Sequence, residues 1–398
     1  MSMFCYQCEQ TMGGKGCSVV GVCGKDATTA GLMDLLCAVT QGVSQYAHRA
    51  ALLGARDASV DRFVIESLFT TVTNVNFDSE RIAGWVRNAV AVRATARALY
   101  EKACAKAGKP AEGLIGPATL APADSIAAMQ KQAEEWGIPA RTARKGATIA
   151  GLEELVLYGL KGAAAYADHA WVLGKVDDGV SAFFHKTLDF LTVPHTVEEY
   201  LGMALAVGES NLKVMALLDG ANTGAYAHPT PTAVRITAKK GKAILVSGHD
   251  LKDLHTLLEL TRDKGINIYT HGEMLPAHGY PELKKYPHLV GNYGGAWQDQ
   301  AKEFDAFPGA ILMTTNCIQN PRQSYKARIF TTGLVGWPGV THVANGDFGP
   351  VVQAALAAPG FAEDQLEKTI LTGFGHQAVL GVADKVVAAV KSGAIKHF

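Results

Sequence analysis

A multidomain α and α/β protein is what this 398-residue sequence predicts, and three observations carry that expectation. Residues 28–220 are rich in Ala and Leu, with apolar residues recurring every three or four positions, the period of amphipathic helices. That half repeats itself at a shift of 120 residues. From about residue 225 short apolar runs alternate with amphipathic helices, the pattern of a parallel, doubly wound sheet. A chain of this length is too long for one core. The boundaries read from these changes are 1–224 for the helical part, 225–362 for an α/β domain, and 363–398 for the start of a second α/β domain.

The repeat is ungapped. Thr28, Ala30, Gly31, Leu32 and Leu35 match Thr148, Ala150, Gly151, Leu152 and Leu155, and Gly42, Tyr46, Ala47, Ala50, Leu53 and Gly54 match Gly162, Tyr166, Ala167, Ala170, Leu173 and Gly174. Asp57, Val60, Phe63 and Leu68 then match Asp177, Val180, Phe183 and Leu188. Duplication of one small helix bundle explains this register. Gly54 and Gly174 are predicted to end corresponding helices, Tyr46 and Tyr166 to pack in cores, and 107–122 to connect the copies. Beyond Pro229 and Pro231 the pattern changes. Strands are predicted at Lys242–Ser247, Ile266–Tyr269, Leu289–Tyr293, Gly309–Thr315 and 328–332, with helices at Leu251–Arg262, 297–306 and Gln377–Lys391. Ala394–Phe398 reads as the entry to a strand, so on pattern alone the chain looks cut short.

Lys+Arg and Asp+Glu both number 37, and with no net charge there is no electrostatic case for nucleic acid or an anionic membrane as partner. The N-terminus lacks the charged and apolar regions of a signal peptide, and no run of about eighteen apolar residues predicts a membrane span. Seven cysteines grouped as for metal fit a reducing cytoplasm. Four of them, Cys5, Cys8, Cys17 and Cys23, are spaced C-x2-C-x8-C-x5-C among glycines. Convergent thiolates select zinc or an iron–sulfur cluster, and a two-disulfide knot is the third option. The absence of a second C-x2-C knuckle favours iron–sulfur. Cys37 and Cys104 lie in helical, alanine-rich contexts and read as inert thiols.

In open α/β sheets ligands bind beyond the carboxyl ends of the strands. The residues found there are His249, Glu273 and Cys317, an imidazole, a carboxylate and a thiolate that together suit a mixed-ligand metal site. Taken singly, His249 and Asp250 could cap the next helix, Glu273 could be a helix N-terminal charge, and Cys317 a buried thiol. Spacing does not separate iron from a three-ligand zinc. His271, His278 and His376 read as surface or supporting residues. No GxGxxG fingerprint follows the first strand, so this domain is expected to hold metal and not NAD.

Longer motifs add a resemblance: Met3-Phe-Cys-Tyr-Gln-Cys8 with Cys17 and Cys23, Thr71-Val-Thr-Asn-Val-Asn-Phe-Asp78, Ser247-Gly-His-Asp-Leu-Lys-Asp253, Tyr269-Thr-His-Gly-Glu-Met-Leu-Pro276, Gly291-Asn-Tyr-Gly-Gly-Ala-Trp297 and Thr314-Thr-Asn-Cys317. With these the whole chain resembles the hybrid cluster (prismane) proteins, the hydroxylamine reductases. The resemblance implies an N-terminal domain of two three-helix bundles followed by two Rossmann-like domains. It implies a 4Fe-4S cubane on Cys5, Cys8, Cys17 and Cys23, and a hybrid 4Fe-2O-2S cluster to which His249, Glu273 and Cys317 contribute. The family's remaining hybrid-cluster ligands, three cysteines and a second glutamate, have no counterparts in this chain, so the ligand set is incomplete. The implied activity is reduction of hydroxylamine to ammonia and water, or of nitric oxide, in nitrosative stress defence. Electrons would come from an external NADH-dependent reductase. The alternatives are an electron-transfer protein holding only the cubane and a zinc-stabilised structural protein.

Overall fold

A computed structural model describes residues 3–398 and divides them into two compact units. The first takes in the chain up to Asp219 together with Asn316–Asn320 and Leu334–Gly339; the second holds Gly220–Thr315, Pro321–Gly333 and Val340–Phe398.

The first unit is helical. Its long helices are α1 (Ala27–Leu52), α2 (Ala58–Thr70) and α3 (Ser79–Lys106), then α6 (Ala147–Val172), α7 (Asp178–Phe190) and α8 (Val197–Tyr226), with short α4 (Ile126–Ala133) and α5 (Ile138–Lys145) between the sets. Adding 120 to the bounds of α1 and α2 gives 147–172 and 178–190, the bounds of α6 and α7. Local chemistry fixes these ends twice over. Asp57 and its counterpart Asp177 cap α2 and α7, accepting from Val60 N and Val180 N, and each such cap is worth about 1 kcal/mol. Gly54 and Gly174 leave α1 and α6 with φ of 74° and 77°, where a Cβ would be strained.

The two copies pack on each other. α1 lies along both α3 and α7, α2 lies along α6, and residues from all six long helices form one continuous apolar core. Tyr46 is buried in it against Tyr100, whereas Tyr166 is 41% exposed, contrary to the expectation of a core role. The position equivalent to Tyr100 is Gly220, so the second copy offers Tyr166 no ring to pack on. α8 is a further departure from expectation. Over 30 residues it is long and apolar enough to cross a membrane by length and composition, and it is the one such helix among the described residues. Its Tyr200, Met203, Val207 and Val214, at heptad-like spacing, belong to the core instead.

A buried polar chain locks the copies together. Ser44 of α1 meets His185 Nδ1 of α7 at 3.2 Å, His185 Nε2 meets Asp61 Oδ1 of α2 at 2.7 Å, and Arg56 pairs with Asp61 at 2.6 Å. The three side chains of the Ser–His–Asp array are 6% exposed or less, so this is a structural tie and not a hydrolytic triad. Burial pushes the Asp61 carboxyl up, but His185 and Arg56 hold it below its ordinary value.

The second unit is built on a parallel sheet. Its elements are β1 (Thr232–Arg235), β2 (Lys242–Ser247), α9 (Leu251–Thr261), β3 (Ile266–Thr270), α10 (Pro281–Lys284), β4 (Leu289–Asn292), α11 (Gln300–Ala306), β5 (Ala310–Met313), β6 (Ile329–Thr331), β7 (Thr341–His342), α12 (Gly349–Ala357), β8 (Thr369–Thr372), α13 (His376–Leu380) and α14 (Ala383–Lys391). Six strands run in the order β4-β3-β2-β5-β6-β7, every neighbouring pair parallel. Counted from β2 in chain order this is 3-2-1-4-5-6, a doubly wound sheet whose order reverses between β2 and β5. Both central strands are buried apolar runs, as a sheet covered on two faces requires.

β1 and β8 pair antiparallel and join 369–372 to this unit. The predicted single helix 377–391 is two, broken at Val382, and Ala394–Phe398 forms no strand because it has no ladder to join.

Replacing Asp61 by Ala leaves buried His185 without its carboxylate and half-buried Arg56 with exposed Asp178 alone. We expect a loss of about 3 kcal/mol or more in chemical denaturation of the helical unit. A loss under 1 kcal/mol would contradict the role of this tie.

Candidate metal centres

The N-terminal cysteines lie on a loop with almost no secondary structure, held by backbone and sulfur contacts. Cys5 and Cys17 form an antiparallel bridge, Cys5 N donating to Cys17 O at 3.1 Å and Cys17 N to Cys5 O at 2.8 Å. Thr11 Oγ1 donates to Cys5 O, and Met12 N donates to Cys17 Sγ at 3.4 Å. Gly21 N reaches Lys25 O and Gly24 N reaches Gly21 O, closing the turn that presents Cys23. Burial pushes the Cys17 thiol up, but the Met12 amide and its neighbours pull it below its ordinary value; Cys23 is raised by burial, with Cys5 and Cys8 adding to the rise. The sulfurs therefore feel one another.

Among the described residues no three His, Cys, Asp or Glu are gathered closely enough to hold a single ion. Thiolates that hold the corners of a cluster stand farther apart than the ligands of one ion, and none of the cysteines is in a disulfide, so no disulfide knot forms. Lys25 is 2% exposed, and its Nζ contacts Met33 Sδ at 3.2 Å. A buried ammonium set among thiols and a thioether is balanced when those thiols become metal-bound thiolates. The donor set fits a sulfur-ligated anionic group.

The second candidate lies at the strand-order reversal. Beyond the end of β2, His249 N donates to Thr315 Oγ1 at 2.9 Å, and His249 Nδ1 lies 3.1 Å from the same hydroxyl. Its Nε2 then faces Glu273 Oε2 at 2.9 Å. The fold thus joins two of the three strand-end residues. Gly248 (φ 110°) allows this approach, since a Cβ there would stand 2.4 Å from Thr314 Oγ1 and 2.6 Å from Thr315 N. Of the simpler readings, Asp250 is indeed the cap of α9, accepting from Lys252 N and Asp253 N, but His249 is not part of that cap. Burial, then Asp250, pushes the Asp253 carboxyl up to about 8.

Cys317 follows β5 by four residues and belongs to the first unit through Asn316–Asn320. There Ile318 N donates to Asn74 O and Asn74 Nδ2 donates to Ile318 O, both at 3.0 Å. Asn74, at φ 60°, lies in the Thr71–Asp78 motif, and the geometry assigns that motif the task of holding the Cys317 loop.

Glu273 is supported by residues from two other segments. His271 is buried, with Nδ1 3.0 Å from Ser247 Oγ and Nε2 2.8 Å from Glu303 Oε2. Glu303 also accepts from Gly295 N at 2.9 Å, so it ties the Gly294–Gly295 turn to the corner carrying Glu273. Glu303 carried no sequence signal beyond its place in a helix. His278 is likewise buried and not a surface residue, with Nε2 2.9 Å from Thr270 Oγ1.

Burial pushes the His278 imidazole down to about 4. Its unfolded form takes up a proton first as the pH falls, so folding stability drops between about 6.5 and 4. This one group accounts for about 3 kcal/mol across that window. Denaturation of His278→Asn at several pH values checks this: the variant should show a shallower loss on acidification, and a slope equal to the original would contradict it.

Comparisons with known proteins identify the family. Residues 3–398 match the Prismane/CO dehydrogenase family. The chain is 54% identical over 397 residues to a hydroxylamine reductase of Rhodospirillum rubrum, 53% over 402 residues to one of Acidiphilium cryptum, and 52% over 402 residues to one of Geobacter sulfurreducens. Each match covers 100% of this chain and 72% of the relative. Among solved structures, carbon monoxide dehydrogenase IV from Carboxydothermus hydrogenoformans aligns with a TM-score of 0.41 at 15% identity, over 96% of this chain and 60% of that one. Carbon monoxide dehydrogenase from Thermococcus sp. AM4 gives 0.42 at 15%, over 99% and 62%. The chain thus spans about three fifths of these dehydrogenases. Family match and sequence identity together place this chain in the Prismane/CO dehydrogenase family.

Proposed function

We propose that the chain is a hydroxylamine reductase, an oxidoreductase that takes hydroxylamine, two electrons and two protons to ammonia and water. The observation that carries this is identity above one half, along the whole chain, to proteins named hydroxylamine reductase. The assignment of Cys5, Cys8, Cys17 and Cys23 to a 4Fe-4S centre, and of His249, Glu273 and Cys317 to a hybrid 4Fe-2O-2S centre, rests on the motif correspondence. The charge around Lys25 and the His249–Glu273 contact support it. When bound, iron supplies a Lewis acid and the electrons.

The protein's own residues do the rest. Thr315 occupies His249 Nδ1 and thereby turns Nε2 toward Glu273, which fixes the imidazole as a ligand would need. Glu303, through His271, holds the corner from which Glu273 projects. The Glu273 side chain is 63% exposed and that of His249 30%, leaving both within reach of a small polar substrate. Nitric oxide as a second substrate, a role in nitrosative stress, an external NADH-dependent reductase and a cytoplasmic location complete the proposal. Seven cysteines grouped as for metal support the last of these.

The test is hydroxylamine consumption and ammonia release by anaerobically purified protein with a one-electron reductant. We expect His249→Ala to lose turnover by about 100-fold or more while keeping about four irons on the cysteine loop. Turnover unchanged in His249→Ala would contradict the site. Reversible reduction without hydroxylamine loss would favour the electron-transfer reading.

A further inference from the structure

Three cavities of about 240, 100 and 20 Å³ in the helical unit share one residue, Asp34 of α1. The largest is bordered by Arg144 and Thr192, and the smallest by Cys5. Asp34 therefore borders both the largest of these cavities and the one that Cys5 lines. Asp34 is half-buried among them, and after burial the largest influences on its carboxyl are charges.

The charges around it come from every neighbouring element. Arg141 reaches toward it from α5, Glu154 and Lys161 from α6, and Lys25 from the cysteine loop. Glu134, at the end of α4, shares the 100 Å³ cavity with it. Around the largest cavity Arg144 and Lys145 of α5 and Glu153 of α6 complete the set, with Lys145 and Arg141 both paired to Glu153. Arg141 is also paired to Glu154. Those acids and bases largely neutralise one another, whereas among the described residues Asp34 and Glu134 form no salt bridge.

Two side chains connect this network to the thiols. The buried ammonium of Lys25 acts on Cys17, Cys23 and Asp34 alike. Tyr158 borders the smallest cavity with Asp34, and both Glu154 and Cys5 bear on its phenol. In a low-dielectric interior an electron added at the sulfurs raises the free energy of any nearby negative charge, and a proton taken up there offsets it.

We propose that Asp34 is the proton-loading residue of the four-cysteine centre, taking one proton from solvent through the 240 Å³ cavity when that centre accepts one electron, and releasing it on oxidation. The inference rests on the iron–sulfur reading of the loop given above. The electron comes from a one-electron carrier, the proton from water, and the bond made is the O–H of the Asp34 carboxyl; no other bond changes. Asp34 acts as a positioning residue for charge and touches no substrate. Burial first, with Arg141, Glu154, Lys161 and Lys25 following, sets its carboxyl at about 7, where such exchange is facile.

The experiment is a redox titration of the whole chain, followed by electron paramagnetic resonance, at a series of pH values between about 6 and 10. The natural protein should show a midpoint potential that falls with rising pH over part of this range. Asp34→Asn, with unchanged iron content, should show a constant potential, and Asp34→Glu should recover the dependence at a displaced pH. A natural protein with its centre intact and a flat profile would overturn the proposal alone, as would Asp34→Asn with the natural slope. A natural protein without iron would overturn both the proposal and the reading beneath it.

Discussion

A buried lysine sets the terms for the helical unit. Lys25 sits at 2% exposure with a thioether as its hydrogen-bond partner, and an ammonium in that position is tolerated only if negative charge is supplied nearby. The supply on hand is the set of thiols at Cys5, Cys8, Cys17 and Cys23, with the Asp34 carboxyl beside them. The loop has hardly any apolar core of its own, Met3, Cys17 and Ala30 being its buried cluster, so backbone bonds and this charge balance must hold it. The same cation bears on Asp34, which links the state of the sulfurs to the interior of α1, α5 and α6.

The sheet imposes a different kind of constraint. Reversal of strand order between β2 and β5 opens a crevice at their carboxyl ends, and the peptide after β2 must pass within contact of Thr314 and Thr315 to enter it. Glycine at 248 is therefore a steric necessity, and the hydroxyl at 315 becomes the group that orients His249. Glu273 arrives from β3 on a 3₁₀ turn whose base is pinned by the buried His271–Glu303 pair. Cys317 is held by other means, two hydrogen bonds to Asn74. Long motifs that look like one block each turn out to divide their labour between a ligand and the residues that aim it.

Much of this was legible in the chain because the informative signals are local. The 120-residue register located α6 and α7 from α1 and α2, and unbroken apolar runs marked β2 and β5. What escaped depends on contacts distant in sequence. Periodicity shows that Tyr46 and Tyr166 occupy equivalent positions, but only tertiary partners reveal that one is buried and the other is not. Nothing local announces that α1 pairs with α7, that Ser44, Asp61 and His185 meet, or that Glu303 supports His271. The stripe at 377–391 promised one helix, yet the backbone leaves the helical region at Val382, with φ of −118° and ψ of 11°, which the apolar period does not show.

The charge balance of the buried lysine and the reductase activity both depend on N-terminal thiols that bind iron and sulfide. X-ray absorption at the iron and zinc edges of the anaerobically purified chain addresses that binding directly. The account predicts iron in a shell of sulfur with a second shell of iron. Zinc alone, surrounded by four sulfurs, would contradict it and leave a structural metal in place of a redox centre.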